Sequence, residues 1–387
     1  MSDLSSGGTE QFEFRGKAGE WFGIWIVNLL LSIITIGIYS AWAKVRTKKY
    51  FYNHTFVQGR NFDYHATGGQ ILIGRLIFIG GYAAFTVILQ LAPAVGIVLA
   101  LGLLVLIPWL IIKSMQFNAR VSSFSNVRFN FTGKMGRAFV VFVLMPVGLY
   151  AVFIALGVGL AFAADAEMYV IAVLCGFAII ALMFAAFPII DRAIKQFVIN
   201  NGALGKASFT FEVGLAPFIK ALAFMVGWIF VFMLLVSALG AGYFASMGES
   251  FGDIANGDDL TMVQFIPLAV LYVVLLLGIL PAGFIYQALI RNVMFNNTTL
   301  SGGHNFRSTV RPLKLVWIAL SNAVAVIFTL GLMLPWAHVR MQKYLASQTF
   351  LIPGGSLDDF IGQQVEEGMS VADAFSDIEG IDFGIPL

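Results

Sequence analysis

Six stretches of this sequence are apolar for long enough to rule out an ordinary water-soluble fold: Gln70–Ala92, Ala94–Met115, Ala138–Ala164, Met168–Ile190, Phe218–Met247 and Val263–Ala288. Crossing a hydrocarbon core of roughly 30 Å takes about 20 helical residues. Lipid offers no partner for a free backbone N–H or C=O, so each run is expected to be a helix. A hydrophobic share of 59% with only 11% charged residues agrees with a polytopic membrane protein. The first 20 residues hold no apolar core followed by a small-residue cleavage site, so the first apolar segment is expected to direct insertion itself.

The six runs pair as three hairpins, and charge orients them. The joints within hairpins carry acids, Asp165, Glu167, Glu249, Asp253, Asp258 and Asp259, and no Lys or Arg. The links between hairpins are basic, with Lys113, Arg120, Arg128, Arg192, Lys195 and Arg291 among their cations. Under the positive-inside rule the links are cytoplasmic and the tips lie outside.

Each link alternates around a turn, as in Val127–Gly133 (VRFNFTG) and Ser208–Gly214 (SFTFEVG). Period-two alternation is a strand signal. The links therefore read as short β-hairpins beneath the membrane. Isolated two-stranded hairpins are marginal in water, so several are expected to associate into one cytoplasmic layer. The fold class is then an all-α polytopic membrane protein with short cytoplasmic β-hairpins between its helix pairs.

Two further stretches flank this core and match each other at a constant offset. Thr35–Tyr50 reads TIGIYSAWAKVRTKKY and Thr329–Tyr344 reads TLGLMLPWAHVRMQKY, which implies an internal duplication. Both ends of each associated apolar run, Trp21–Ala43 and Leu315–Ala337, carry cytoplasmic-type charge. One solution is a re-entrant helical hairpin bent near Gly37 and Gly331, with both termini cytoplasmic; the other is an ordinary span at each end, giving eight crossings. Glycine permits the tight bend, and Thr35 and Thr329 can bond the backbone freed there.

Residues 1–353 read as one membrane domain built from repeats, and 354–387 as an acidic tail. From Ser356 onward the tail holds Asp358, Asp359, Glu366, Glu367, Asp373, Asp377, Glu379 and Asp382 without a Lys or Arg. It is expected either to stay solvated or to fold back on the basic loops or recruit a basic partner.

Catalytic signatures are missing. His54, His65, His304 and His338 are scattered without ligand spacing, and Cys175 is the lone cysteine, so neither an enzyme, nor a metal, nor any other cofactor is expected. Positive charge beside a membrane is explained by topology and anionic lipid head groups, so nucleic acid is not an expected partner. The apolar cores lack buried carboxylates, which argues against proton-driven transport. Neutral groups remain: Asn28, Thr35, Gly37, Asn322, Thr329 and Gly331 are the candidate lining of a translocation path, with helix-gluing hydrogen bonds as the competing reading. Arg46, Lys49, Tyr50, Arg340, Lys343 and Tyr344 are the candidate cytoplasmic interface.

At the paired TxGxxxxWAxVRxxKY stretches, with FEFRGKAGEWFGIWIVN before the first, the sequence resembles the YjgN family of bacterial inner-membrane proteins of unknown function. The resemblance runs from about Phe12 to Pro353 and leaves the acidic tail outside. It implies a bacterial inner-membrane location and supplies no activity, so it assigns no functional residue. Two functions stay open: a passive or substrate-gated translocator of a small solute or lipid, and a non-enzymatic scaffold that binds a protein partner through its cytoplasmic β layer and tail.

Overall fold

The computed structural model describes residues 8–255 and 262–372. Ten strands appear in it. Five are long: β1 (Glu10–Phe14), β3 (Arg60–Tyr64), β5 (Val127–Phe131), β7 (Ala207–Phe211) and β9 (His304–Ser308). Five are short: β2 (Thr55–Val57), β4 (Ser122–Phe124), β6 (Gly202–Leu204), β8 (Thr298–Leu300) and β10 (Thr349–Ile352). All pair antiparallel with their sequence neighbours, and β1 closes on β10, Glu10 opposite Leu351 and Gln11 opposite Phe350.

The result is a closed ten-stranded barrel, and it overturns the expectation of an all-α protein whose short hairpins merely associate in a layer. Each hairpin alone would leave two unpaired edges, whereas joining five of them in a circle satisfies every edge. Tight turns set the register. Gln58–Gly59 and Ser125–Asn126 both hold positive φ, 50° and 74° in the first and 49° and 68° in the second. Such turns match the right-handed twist of the strands they join.

A helix pair is inserted after every long strand. These are α1 (Ala18–Ile34) with α2 (Ser40–Asn53), α3 (Gly68–Leu91) with α4 (Pro93–Arg120), and α5 (Met135–Phe139), continuing through a π turn at Val140–Leu144 into α6 (Met145–Asp165), with α7 (Tyr169–Asn200). The last two are α8 (Ala216–Ala255) with α9 (Met262–Asn296), and α10 (Pro312–Phe328) with α11 (Leu334–Ser347). Neighbouring pairs touch, α2 on α3, α4 on α5, α7 on α8 and α9 on α10, and α1 on α11 completes the circle.

Among the described residues five helices are long and apolar enough to cross a membrane; they match the first four expected runs and the fifth as far as Ser237. The sixth run, Val263–Ala288, falls on α9; its side chains at 262–273 and 275–277 lie outside the described residues, as do those at 238–255 with Glu249 and Asp253, and residues 256–261 with Asp258 and Asp259. None of the most apolar stretch of α7 is buried, and exposed Val170, Leu174 and Phe177 show what such a surface must meet. Contiguous apolar area of this extent fits lipid rather than water.

The tail begins with helix α12 (Leu357–Ala372). Leu357, Phe360, Ile361 and Gln364 stand at i, i+3, i+4 and i+7, so one face is shared by all four. That face is buried on Val57, Phe124, Val127, Leu204, Ala207, Leu300 and Leu351 at the turn end of the barrel.

Candidate functional site

The inside of the barrel has two levels. At mid-height each long strand contributes its central residue: Phe12, Phe62, Phe129, Phe209 and Phe306. Successive ring centroids lie 6.2 Å (Phe12–Phe62), 6.4 Å (Phe62–Phe129), 6.5 Å (Phe129–Phe209) and 6.2 Å (Phe209–Phe306) apart. These separations suit offset stacking of aromatic faces. Alternation explains the placement: with a period of two, the first, third and fifth residues of a strand face one way.

Below this ring, at the turns, α12 covers the opening. Gln364 Oε1 accepts from the backbone N–H of Lys206 at 2.8 Å and of Ala207 at 3.1 Å. Asp358 pairs with Arg60. The ring of Phe360 meets the His304 imidazole edge-on at 4.5 Å, and His304 Nδ1 accepts from the Gly354 N–H at 3.2 Å. Burial of His304 disfavours its charged form and lowers its pKa, which keeps that nitrogen free to accept. Covering Leu357, Phe360 and Ile361 contributes about 1.5–3 kcal/mol apiece.

Above the ring the barrel opens toward the helix ends. A cavity of about 640 Å³ there is lined by Asn118, Ser122, Arg291, Gln342 and Thr349, with Phe12, Phe62, Phe129 and Phe295 on its barrel side. The same four phenylalanines border a second chamber of about 420 Å³ inside the barrel, whose walls are almost wholly apolar. Arg291 Nη2 donates to Thr349 Oγ1 at 3.0 Å, and its guanidinium lies 4.4 Å from the Phe295 ring centre. Lys48 Nζ donates to Asn118 Oδ1 at 3.0 Å.

The residues expected to line a path sit in the two short helical hairpins. Thr35 Oγ1 donates to Leu31 O at 2.7 Å and accepts from Tyr39 N–H at 2.9 Å; Thr329 Oγ1 does the same with Ala325 O at 2.7 Å and Met333 N–H at 3.1 Å. Gly37 and Gly331, with φ of 86° and 92°, make the bends where a side chain would be strained. Asn322 Nδ2 donates to Ala337 O at 3.1 Å, while Asn28 is buried with neither side-chain polar atom partnered.

The expected interface residues divide. Tyr50 OH bonds both the N–H and the carbonyl of Lys17 at 2.9 Å, and Tyr344 OH bonds those of Arg311 at 3.0 and 3.3 Å, each latching a helix to the segment after a strand. Burial raises the Tyr50 pKa further from neutrality. Arg340 turns inward to Ser321 Oγ at 2.7 Å and Asn322 Oδ1 at 2.8 Å. Arg46 reaches Tyr39 OH at 3.0 Å and lines a groove of about 480 Å³ with Lys49; Lys343 is exposed.

Among the described residues no group of three His, Cys, Asp or Glu side chains is placed to hold a metal. Residue-by-residue inspection of motifs missed the phenylalanine ring and Arg291. Superposing the five long strands would have exposed the ring, since Phe recurs at the centre of each.

Known relatives agree over most of the chain. It is 30% identical to the inner membrane protein YjgN of Salmonella typhimurium over 346 residues, 87% of each chain. To the protein of that name in Escherichia coli O157:H7 it is 29% identical over 366 residues, 91% of this chain and 90% of the other. No solved structure matches it. A family described as bacterial protein of unknown function, DUF898, matches residues 9–378, and this chain belongs to it.

Proposed function

We propose that this chain is a multi-pass inner-membrane translocator, passive or gated by its substrate, whose cytoplasmic mouth is the β-barrel. The observation that carries the reading is the ring of five phenylalanines at mid-barrel, set between a vestibule at the helix ends and the helix that covers the far opening. An apolar constriction gates by excluding water until it widens. On this reading α12 is the part that moves, because it follows the last strand and is joined to the barrel by a short link.

Membership of the same family as inner-membrane proteins supports the location. The two short hairpins enter and leave the membrane on one face, which puts both termini in the cytoplasm. Their tips support this: Ile36 and Leu330 are 95% and 94% exposed and sit among further bare apolar side chains, a surface suited to lipid. The scaffold alternative is weakened, because a closed barrel presents no strand edge for a partner to extend.

The test is solute release from proteoliposomes containing the full chain, a chain cut after Pro353, and Phe129→Ala/Phe209→Ala. Opening the ring or removing the cover should raise release at least about tenfold over the parent, the factor expected for about 1.4 kcal/mol off a barrier. Release no faster than from protein-free vesicles, across neutral, cationic and anionic solutes in all three, would overturn the reading. Sidedness follows from cysteines placed as Ser5→Cys and Ser370→Cys in Cys175→Ser: labelling by an impermeant reagent in intact cells would contradict two cytoplasmic termini.

A further inference from the structure

Arg291 is a cation in a place where a cation is costly. It lies about one turn from the end of α9, at the wall of the vestibule. One of its nitrogens meets Thr349 Oγ1 and its plane covers Phe295, but Nε is buried with no hydrogen-bond partner. No ion pair to Arg291 occurs among the described residues, and the vestibule wall around it holds no acid. A guanidinium taken from water needs paired charge or full hydrogen bonding to recover its solvation. Its planar fork is shaped for the two oxygens of a carboxylate or phosphate.

The space beyond has the opposite chemistry. Phe295, which Arg291 covers, borders both the vestibule and the apolar chamber, as do Phe12, Phe62 and Phe129. Among the chamber's lining residues His304 is the one titratable group, and its bond to Gly354 engages it in the neutral form. An unpaired cation at the mouth of an apolar chamber of about 420 Å³ matches a molecule with an anionic head and an apolar chain.

We propose that the vestibule and chamber together bind an amphiphilic anion, its carboxylate or phosphate on Arg291 and its single alkyl chain among the phenyl rings. This names the class of solute for the translocator and rests on that reading for the solute's movement, though not for its binding.

Binding is read at equilibrium on the full chain in phosphatidylcholine nanodiscs. The probe is a long-chain fatty acid carrying a diazirine, compared with the alcohol of the same chain. The fatty acid should label peptides containing Phe129 or Phe209, with the alcohol about tenfold weaker, the equivalent of one charge-assisted hydrogen bond. Arg291→Gln should lower labelling by a similar factor and Arg291→Lys should retain part of it. Leu300→Trp, which fills the chamber and leaves Arg291 in place, should also lower it, and so tests the site without disturbing the cation.

Equal labelling by acid and alcohol, or labelling confined to the lipid-facing helices, would overturn the proposal. So would full displacement by inorganic phosphate at the concentration where an alkyl phosphate displaces, since the site would then take a free anion. Solute release without site labelling would remove this inference and leave the translocator; site labelling with no release from the opened variants would do the reverse.

Discussion

The first and last helical hairpins carry nearly the same motif and solve one buried problem differently. In the last, Asn322 is fully engaged: its amide donates to Ala337 O, and Arg340 donates to its oxygen and to Ser321. In the first, the matching Asn28 is 5% exposed and its side chain has no partner, while Arg46 turns away to Tyr39. The cause lies in two neighbours. Position 27 is Val where the last hairpin has Ser321, and position 39 is Tyr where it has Met333. Without the hydroxyl that helps hold the arginine inward, and with a phenol available outside, the same Asn and Arg no longer meet. A shared motif therefore specifies the bend and the latch, and its neighbours decide the hydrogen-bond network.

The sharpest way to break this comparison is to replace both asparagines. Asn322→Leu should cost about 2–3 kcal/mol, because it removes two hydrogen bonds and leaves Arg340 with Ser321 alone of its two hydrogen-bond partners. Asn28→Leu should be neutral or stabilise by up to about 1 kcal/mol, since no partner is lost and an unsatisfied amide is removed. Thermal unfolding in detergent distinguishes them, and equal losses would mean that the two hairpins are not differently bonded.

Next comes the arginine pair. Arg340→Leu should destabilise by about 1.5–2 kcal/mol, discounted for partial exposure, while Arg46→Leu, on the exposed side of its helix, should cost under about 0.5 kcal/mol. Denaturant midpoints compared at a constant slope provide the measurement.

The tyrosine latches should behave alike. Tyr50→Phe and Tyr344→Phe each lose a hydroxyl that both accepts and donates, at about 1 kcal/mol apiece. Hydrogen exchange of the Lys17 and Arg311 amides should rise in the matching variant only. The one gain expected from restoring the network is from Val27→Ser with Tyr39→Met, which copies the last hairpin into the first: about 0.5–1 kcal/mol if Arg46 then turns to Asn28. No gain would place the cause outside these two positions.

Much of the architecture was legible residue by residue. The apolar runs follow from composition and length, the tight bends from Thr35–Gly37 and Thr329–Gly331, and the strands from alternation at Phe12–Phe14 and Phe129–Phe131. The seat of α12 rests on the spacing of Leu357, Phe360, Ile361 and Gln364, a pattern that the acidic residues around it obscure. The site was less legible. Arg291 reads as one cation among many at a membrane surface until the vestibule wall around it is seen to hold no acid.

By itself the sequence determined the local elements: helices where lipid demands internal hydrogen bonds, strands where side chains alternate, and bends where glycine tolerates positive φ. Those follow from neighbours within a few residues along the chain. Closure of the barrel was decided only in three dimensions, because it joins Glu10–Gln11 to Phe350–Leu351 across nearly the whole sequence. The phenylalanine ring, the chamber behind it and the isolation of Arg291 exist only once that circle is complete, since each depends on what the other four units place opposite.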